Sequence, residues 1–240
     1  VRRGGNVSPL GVSAFTFTGW KLQNVTQAAA ALQPVAVGAA RGDATSRVYA
    51  GGADGRAYEL THAGGWTRSD FAMASPGSAL TGLVVAAVKT DGLARLYAPA
   101  ANGTEYEASF AGSVWSAATV GSPAASLSAA AVGSGRGDGV GRVYTGAASG
   151  LVTEFTPGAG WTFATVGGAG SGVNGLAVAS ARGAVAVYAA LANGTVAEFA
   201  WSGSAWTQTS VGAANGPAWA IAAGAGRGDG VTRLYVAADG

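Results

Sequence analysis

The amino-acid sequence predicts an all-β fold built from five similar repeats. Three observations lead to this prediction. A tyrosine recurs at intervals of 44 to 48 residues, and its copies are Tyr49, Tyr97, Tyr144, Tyr188 and Tyr235. Asn-Gly, Asp-Gly or Ser-Gly follows each tyrosine after a few residues, and such dipeptides suit tight hairpin turns. No apolar pattern with the 3.6-residue period of a helix extends over a useful length.

Other residues lie at fixed distances from the repeated tyrosine. An arginine lies two positions before four of the five tyrosines. A glutamate lies ten positions after each of the first four, and a tryptophan lies 17 or 18 positions after each of them. The glutamates are Glu59, Glu107, Glu154 and Glu198, and the tryptophans are Trp66, Trp115, Trp161 and Trp206. So many coincidences indicate a true internal repeat.

Each repeat is predicted to form four short strands. An Ala/Val-rich run such as Gly82–Val88 predicts the first strand, and the segment around the tyrosine predicts the second. A two-residue turn then leads to the third strand, and the segment around the tryptophan predicts the fourth. Four-stranded units of about 40–50 residues that are arranged radially are the blades of a β-propeller. Small Ala, Gly and Val residues suit the crowded strands near the axis of a small ring.

The fifth repeat is divided between the two ends of the chain. It stops just after Tyr235, and the segment Gly11–Val25 matches the second half of the third repeat, Gly150–Val166. Only a ring needs its last unit completed by its first segment. We therefore predict one domain over residues 1–240, a five-bladed β-propeller of four-stranded antiparallel blades. One blade is divided between residues 1–33 and 218–240, and the pairing of these segments closes the ring.

Composition disfavours several classes of function. The formal net charge is +2 and no dense basic run occurs, so we expect no nucleic-acid partner. The chain has no cysteine, which excludes disulfides, thiolate catalysis and cysteine-based zinc sites. No run of 18 or more apolar residues occurs, so we expect no membrane insertion. His62 is the only histidine, and the repeated glutamates would lie far apart around a ring. We therefore expect no enzyme activity, no cofactor and no metal.

An Arg-Gly-Asp triplet occurs three times and raises the alternative of a cell-adhesion ligand. The copies begin at Arg41, Arg136 and Arg227. They lie in the predicted loop between the first and second strands. The triplet becomes Lys-Thr-Asp in the second repeat, and the fourth repeat loses the acid. Each loop has a single acid, which disfavours a calcium site. We interpret the aspartates as residues that cap their own turn and pair with a neighbouring arginine.

The tryptophan of each repeat has two interpretations. It could pack one blade against the next, or its flat face could stack on a sugar ring while an adjacent polar group binds the hydroxyls. Trp201 and Trp219 lie outside the repeat register. For the sugar-binding interpretation, the candidate residues are Trp20, Trp66, Trp115, Trp161 and Trp206, together with Asp43, Asp91, Asp138 and Asp229.

The order of elements resembles the tachylectin-type five-bladed lectins. Each repeat runs from an apolar strand through a Tyr-containing hairpin to a Gly-Trp strand, although Gly-Gly-Trp is intact only at residues 64–66. The resemblance covers essentially the whole chain and implies one shallow pocket per blade for N-acetylated amino sugars. We therefore expect an extracellular, monomeric, multivalent lectin whose partners are glycans or glycoconjugates. The alternative is a non-catalytic structural or protein-interaction propeller without a small-molecule ligand, including an engineered chain or one excised from a longer repeat protein.

Overall fold

The fold was examined in a computed structural model, which describes residues 30–239 and the backbone of two strands within residues 11–27. All regular secondary structure in these residues is β-strand. The strands form four four-stranded antiparallel sheets and two two-stranded antiparallel sheets. The predicted all-β class and the repeated four-stranded unit are thus confirmed, and the architecture is compatible with a β-propeller.

The strands of the described residues are numbered in chain order. The two-stranded sheets contain β1 (Gly11–Thr16) with β2 (Lys21–Gln27), and β19 (Ala218–Gly224) with β20 (Arg233–Ala238). Unit 1 contains β3 (Leu32–Gly38), β4 (Arg47–Gly52), β5 (Arg56–His62) and β6 (Trp66–Ala72). Unit 2 contains β7 (Val84–Ala86), β8 (Arg95–Pro99), β9 (Glu105–Ala111) and β10 (Val114–Gly121). Unit 3 contains β11 (Leu127–Gly133), β12 (Arg142–Ala147), β13 (Leu151–Pro157) and β14 (Trp161–Gly168). Unit 4 contains β15 (Val173–Ala179), β16 (Ala186–Leu191), β17 (Thr195–Trp201) and β18 (Trp206–Ala213).

The units follow one another side by side. Within each unit the strands are neighbours in chain order. The first strand of each unit contacts the first strand of the next, from β3 through β7, β11 and β15 to β19. Fourth strands also meet, β10 with β14 and β14 with β18. The first strands are therefore gathered on one side of the molecule, as a radial arrangement requires.

The predicted hairpin turns join the second and third strands. Gly103 has a φ of 83°, and a Cβ atom there would collide with the carbonyl oxygen of Ala124. Only glycine fits this turn. The Asn102 side chain accepts a hydrogen bond from the backbone N–H of Thr104 at 3.1 Å, which is how an Asn-Gly turn stabilises itself.

The repeated tyrosines lie at the centre of the apolar core. Those of units 1 to 4 are fully buried in the second strand, and the whole of β8, β12 and β16 is buried with them. Tyr235 is 42% exposed at the equivalent position of β20, which pairs only with β19 among the described residues. The core therefore needs a third strand and a following unit to cover each tyrosine.

The two two-stranded sheets have the features of complementary halves of one unit. The β1–β2 register shifts between Val12 and Ser13, just as the β13–β14 register shifts between Val152 and Thr153. The β19–β20 register shifts within residues 218–220, as the β11–β12 register does within residues 127–129. In addition, β2 contacts β6 as β10 contacts β14. No described pairing joins β20 to β1, so ring closure stays a prediction.

Candidate functional site

The loop between the first and second strands is held by a fork between an aspartate and an arginine. In unit 3 both carboxylate oxygens of Asp138 accept hydrogen bonds from Arg142 at 2.7 Å. The backbone N–H of Val140 donates to Asp138, and Arg142 donates to the carbonyl of Val140. The Arg142 hydrogen bond holds the pKa of Asp138 well below its usual range. The same fork forms at Asp43, Asp91 and Asp229.

The first residue of the triplet binds the repeated glutamate. Arg41 Nε donates to Glu59 at 2.8 Å, and Arg136 Nε donates to Glu154 at 3.1 Å. Lys89, the counterpart in unit 2, donates to Glu107 at 2.7 Å. The glycine between arginine and aspartate adopts a positive φ in each complete triplet. The triplets of units 1 and 3 are thus fully engaged within the protein, as the structural interpretation of these loops predicts.

The glutamate is the centre of each charged cluster. Glu154 is almost fully buried, accepts a hydrogen bond from the Tyr144 hydroxyl at 3.0 Å and lies 3.6 Å from Arg142 Nε. The sequence identified Glu154 as a repeated residue but did not predict these contacts. The available signal was a constant spacing of 18 residues between loop cation and glutamate, from 41 to 59, 89 to 107 and 136 to 154.

The repeated tryptophans pack each unit on the unit before it. Edge-to-face contacts with ring centroids 5.8 to 6.2 Å apart join tryptophan and tyrosine across three junctions; the pairs are Trp115 with Tyr49, Trp161 with Tyr97, and Trp206 with Tyr144. Trp161 Nε1 also donates to Glu107 of the preceding unit at 3.2 Å. These three residues therefore pack between neighbouring units. Trp66 contacts His62 within its own unit, and Trp20 lies outside the described residues.

Loop cations also cross the junctions. The guanidinium of Arg41 lies 4.3 Å from the centre of the Phe110 ring, and that of Arg136 lies 4.1 Å from the Trp201 ring. A cation over an aromatic face is attracted by the ring quadrupole. Trp201, which the repeat register left unexplained, is thus the aromatic partner of Arg136 in the loop of unit 3. Trp219 is 55% exposed on β19.

The junction between units 2 and 3 differs because Pro157 replaces the aromatic residue. Lys89 there lies over the Trp161 ring instead, with Nζ 5.4 Å from its centre. A cleft of ≈ 260 Å³ opens between the two units; it is lined by Lys89, Thr90, Asp91, Pro157 and Gly158. Between units 1 and 2, where Arg41 covers Phe110, the cavity measures only ≈ 30 Å³. Proline offers no ring face that a loop cation could cover, so this junction stays open.

No group of three or more His, Asp or Glu side chains in the described part of the chain could hold a metal ion. A helix of the length and apolarity needed to cross a bilayer is likewise not found within it.

Comparison with known proteins adds no assignment. Neither the models of known protein families nor the curated proteins give a match to this chain.

Proposed function

We propose that the chain is a five-bladed β-propeller that binds carbohydrate without catalysis, with its main site at the junction of units 2 and 3. The observation that supports this proposal is the open cleft beside Lys89 and Pro157. The lectin-type resemblance of the repeat points to the same class of ligand. The proposal includes closure of the ring, with β1 and β2 completing the unit that begins with β19 and β20.

The chemistry of the cleft suits a sugar ring. Lys89, Thr90 and Asp91 offer hydrogen-bond donors and acceptors for hydroxyl groups. Pro157 offers an apolar surface, and Trp161 lies directly under the Lys89 ammonium. Lys89 is 31% exposed, so a ligand can displace it and uncover the indole face for stacking. The volume lies just below the range of about 300–1,000 Å³ for small-molecule pockets, which favours a single sugar residue.

The repeated sites are unequal in this proposal. The sequence predicts one site per blade, with the fourth blade weakest because its loop lacks the acid. The arginines of units 1 and 3 already occupy the faces of Phe110 and Trp201, so a sugar must compete with them there. We therefore expect one dominant site and weaker ones, with avidity on glycan-coated surfaces as the functional gain.

The experiment combines a glycan array with calorimetry on the sugar that the array identifies. Pro157→Phe gives unit 3 the aromatic residue that unit 2 has at the equivalent position. Lys89 can then cover the new ring, and sugar binding should weaken about tenfold or more. The reciprocal variant, Phe110→Pro, is the matched control, because it should open a second cleft and raise the stoichiometry.

Two outcomes would contradict the proposal. Unchanged affinity of Pro157→Phe would place any sugar site elsewhere. An array without a retained glycan, on protein shown to be folded, would favour the alternative of a structural or protein-interaction propeller. That alternative is supported by the internal pairing of the loop aspartates.

A further inference from the structure

Unit 4 departs from the other units in the loop before its second strand. In units 1 to 3 the second strand begins with an arginine whose guanidinium lies buried beside the glutamate; these residues are Arg47, Arg95 and Arg142. Unit 4 has Ala186 at this position, two residues before Tyr188. Its loop is two residues shorter and has Ala184 instead of an acid. The third-strand threonine that binds Arg47 or Arg142 is replaced as well, by Ala200.

These replacements leave a cavity where the other units hold a guanidinium. Its volume is ≈ 310 Å³, and its lining residues are Arg182, Ala184, Ala186, Glu198, Ala200 and Thr209. Three alanines form apolar walls, and the carboxylate of Glu198 supplies the negative charge. The cavity lies in unit 4 alone and is therefore distinct from the cleft between units 2 and 3.

The glutamate beside the cavity has fewer ion-pair partners than its counterpart in unit 3. Glu154 lies within 4 Å of two arginines, whereas among the described residues Arg182 is the one arginine within 4 Å of Glu198, with Nη1 3.5 Å away. Arg182 is 62% exposed, so this contact is weak. The Thr209 hydroxyl donates to the same Glu198 carboxylate at 3.5 Å. The Tyr188 hydroxyl is buried without a hydrogen-bond partner in the described structure, but so are those of Tyr49 and Tyr97, so the reduced ion pairing of Glu198 is the feature that sets unit 4 apart.

We infer that the unit 4 cavity binds a guanidinium group supplied by another molecule. The group is a small guanidine or the arginine side chain of a peptide, and it takes the place that Arg142 occupies in unit 3. The Glu198 carboxylate accepts its N–H groups. The alanines pack against its flat face and its methylene stem, surfaces that arginine readily buries.

A guanidinium suits this cavity better than an ammonium or an anion. The planar group is more weakly hydrated than an ammonium, so it loses less on entering a site with apolar walls. Its fork of N–H donors matches a carboxylate. Glu198 repels an anion. Arg182 is exposed enough to swing away when the ligand arrives.

The test is a titration of the full chain with methylguanidinium chloride, followed by backbone amide chemical shifts. We expect saturable shifts confined to residues 182–188, 196–200 and 209. Methylurea has nearly the same shape but no charge, and sodium chloride matches the ionic strength; neither should produce these shifts. Shifts that methylurea reproduces, or that spread over all units without saturation, would overturn the proposal.

Two variants distinguish binding in the cavity from the general denaturing effect of guanidinium salts. Glu198→Gln should weaken methylguanidinium binding about tenfold or more, because a charge-assisted pair is lost. Ala186→Arg restores the arginine of the repeat and should abolish binding while raising the melting temperature, since the tethered group fills the cavity. Binding that persists in folded Ala186→Arg protein would contradict the proposal even if Glu198→Gln fails to fold.

A second set of ligands distinguishes the two sources of the group. Agmatine, a blocked arginine tripeptide and the corresponding lysine tripeptide are compared. Tighter binding of the arginine tripeptide than of agmatine identifies a peptide partner, and equal binding identifies a small guanidine. Equal binding of the lysine and arginine tripeptides would refute the guanidinium assignment.

Discussion

Glu105 is a buried acid at a position that is apolar in the other units. The equivalent residues are Ala57, Val152 and Val196. The side chain is fully buried, and neither carboxylate oxygen has a hydrogen-bond partner in the described structure. Burial raises the pKa of Glu105 well above its usual value of 4.5. Burial thus disfavours the charged form, and a buried carboxyl group without a hydrogen-bond partner destabilises the fold.

We expect Glu105→Val to raise the free energy of unfolding by about 1–3 kcal/mol at pH 7. The folded protein keeps a proton that the unfolded chain releases above pH about 4.3, so wild-type stability falls as pH rises from there through the folded pKa. The variant should lose this dependence. Urea unfolding at a series of pH values measures both effects. Glu105→Gln is the control that keeps the shape without titrating, and parallel pH profiles for all three proteins would contradict the assignment.

At the residue scale, the sequence predicted which positions are repeated but not which residues they contact. Tyrosine, glutamate and tryptophan were located by their spacing, but the burial of the glutamate was not predicted. The pairing of Arg41 with Phe110 joins residues 69 positions apart in neighbouring units, so no local pattern contains it. The cleft at Pro157 was missed for the same reason, because it depends on which side chain faces the next loop.

At the scale of the elements, the aspartate–arginine fork ties the loop to the second strand. Arg142 is only 7% exposed, whereas Asp138 is 41% exposed. Asp138 therefore accepts hydrogen bonds of the buried guanidinium from the solvent side. Removal of the aspartate leaves that guanidinium with Glu154, Thr156 and the Val140 carbonyl but without its two shortest hydrogen bonds.

We expect Asp138→Ala to lower the free energy of unfolding by about 1–2 kcal/mol, a modest value because the carboxylate is partly screened by solvent. Chemical denaturation measures the change. Asp70→Ala is the matched control, because its partner Arg56 is more exposed, and it should have a smaller effect. An equal loss in both variants would show that the burial of the arginine does not matter.

At the scale of the whole molecule, closure of the ring can be tested by a disulfide. In unit 3, Thr145 of the second strand pairs with Thr153 of the third. By the repeat, these residues correspond to Val236 and Ser13, and the chain has no other cysteine to interfere. The double variant Ser13→Cys with Val236→Cys should form a disulfide within one chain if β20 pairs with β1.

The disulfide should add about 2–4 kcal/mol to the free energy of unfolding, because it closes a loop of nearly the whole chain. Non-reducing mass spectrometry and thermal unfolding measure the two results. Ser13→Cys with Ala237→Cys is the off-register control, since adjacent strand residues point to opposite faces. Disulfides that form only between chains would argue against closure within one molecule.

Every junction between units joins two unlike faces. One face presents the loop cation and the tyrosine, and the other presents the tryptophan with an aromatic residue or proline. Such a head-to-tail interface is satisfied at every unit only in a closed ring, and an interface of this type that fails to close generates open-ended filaments. By the repeat, Tyr235 at one end and Trp66 at the other correspond to the tyrosine and tryptophan of that interface. With only 11% charged residues to oppose association, we expect a chain that fails to close its own ring to associate with other chains.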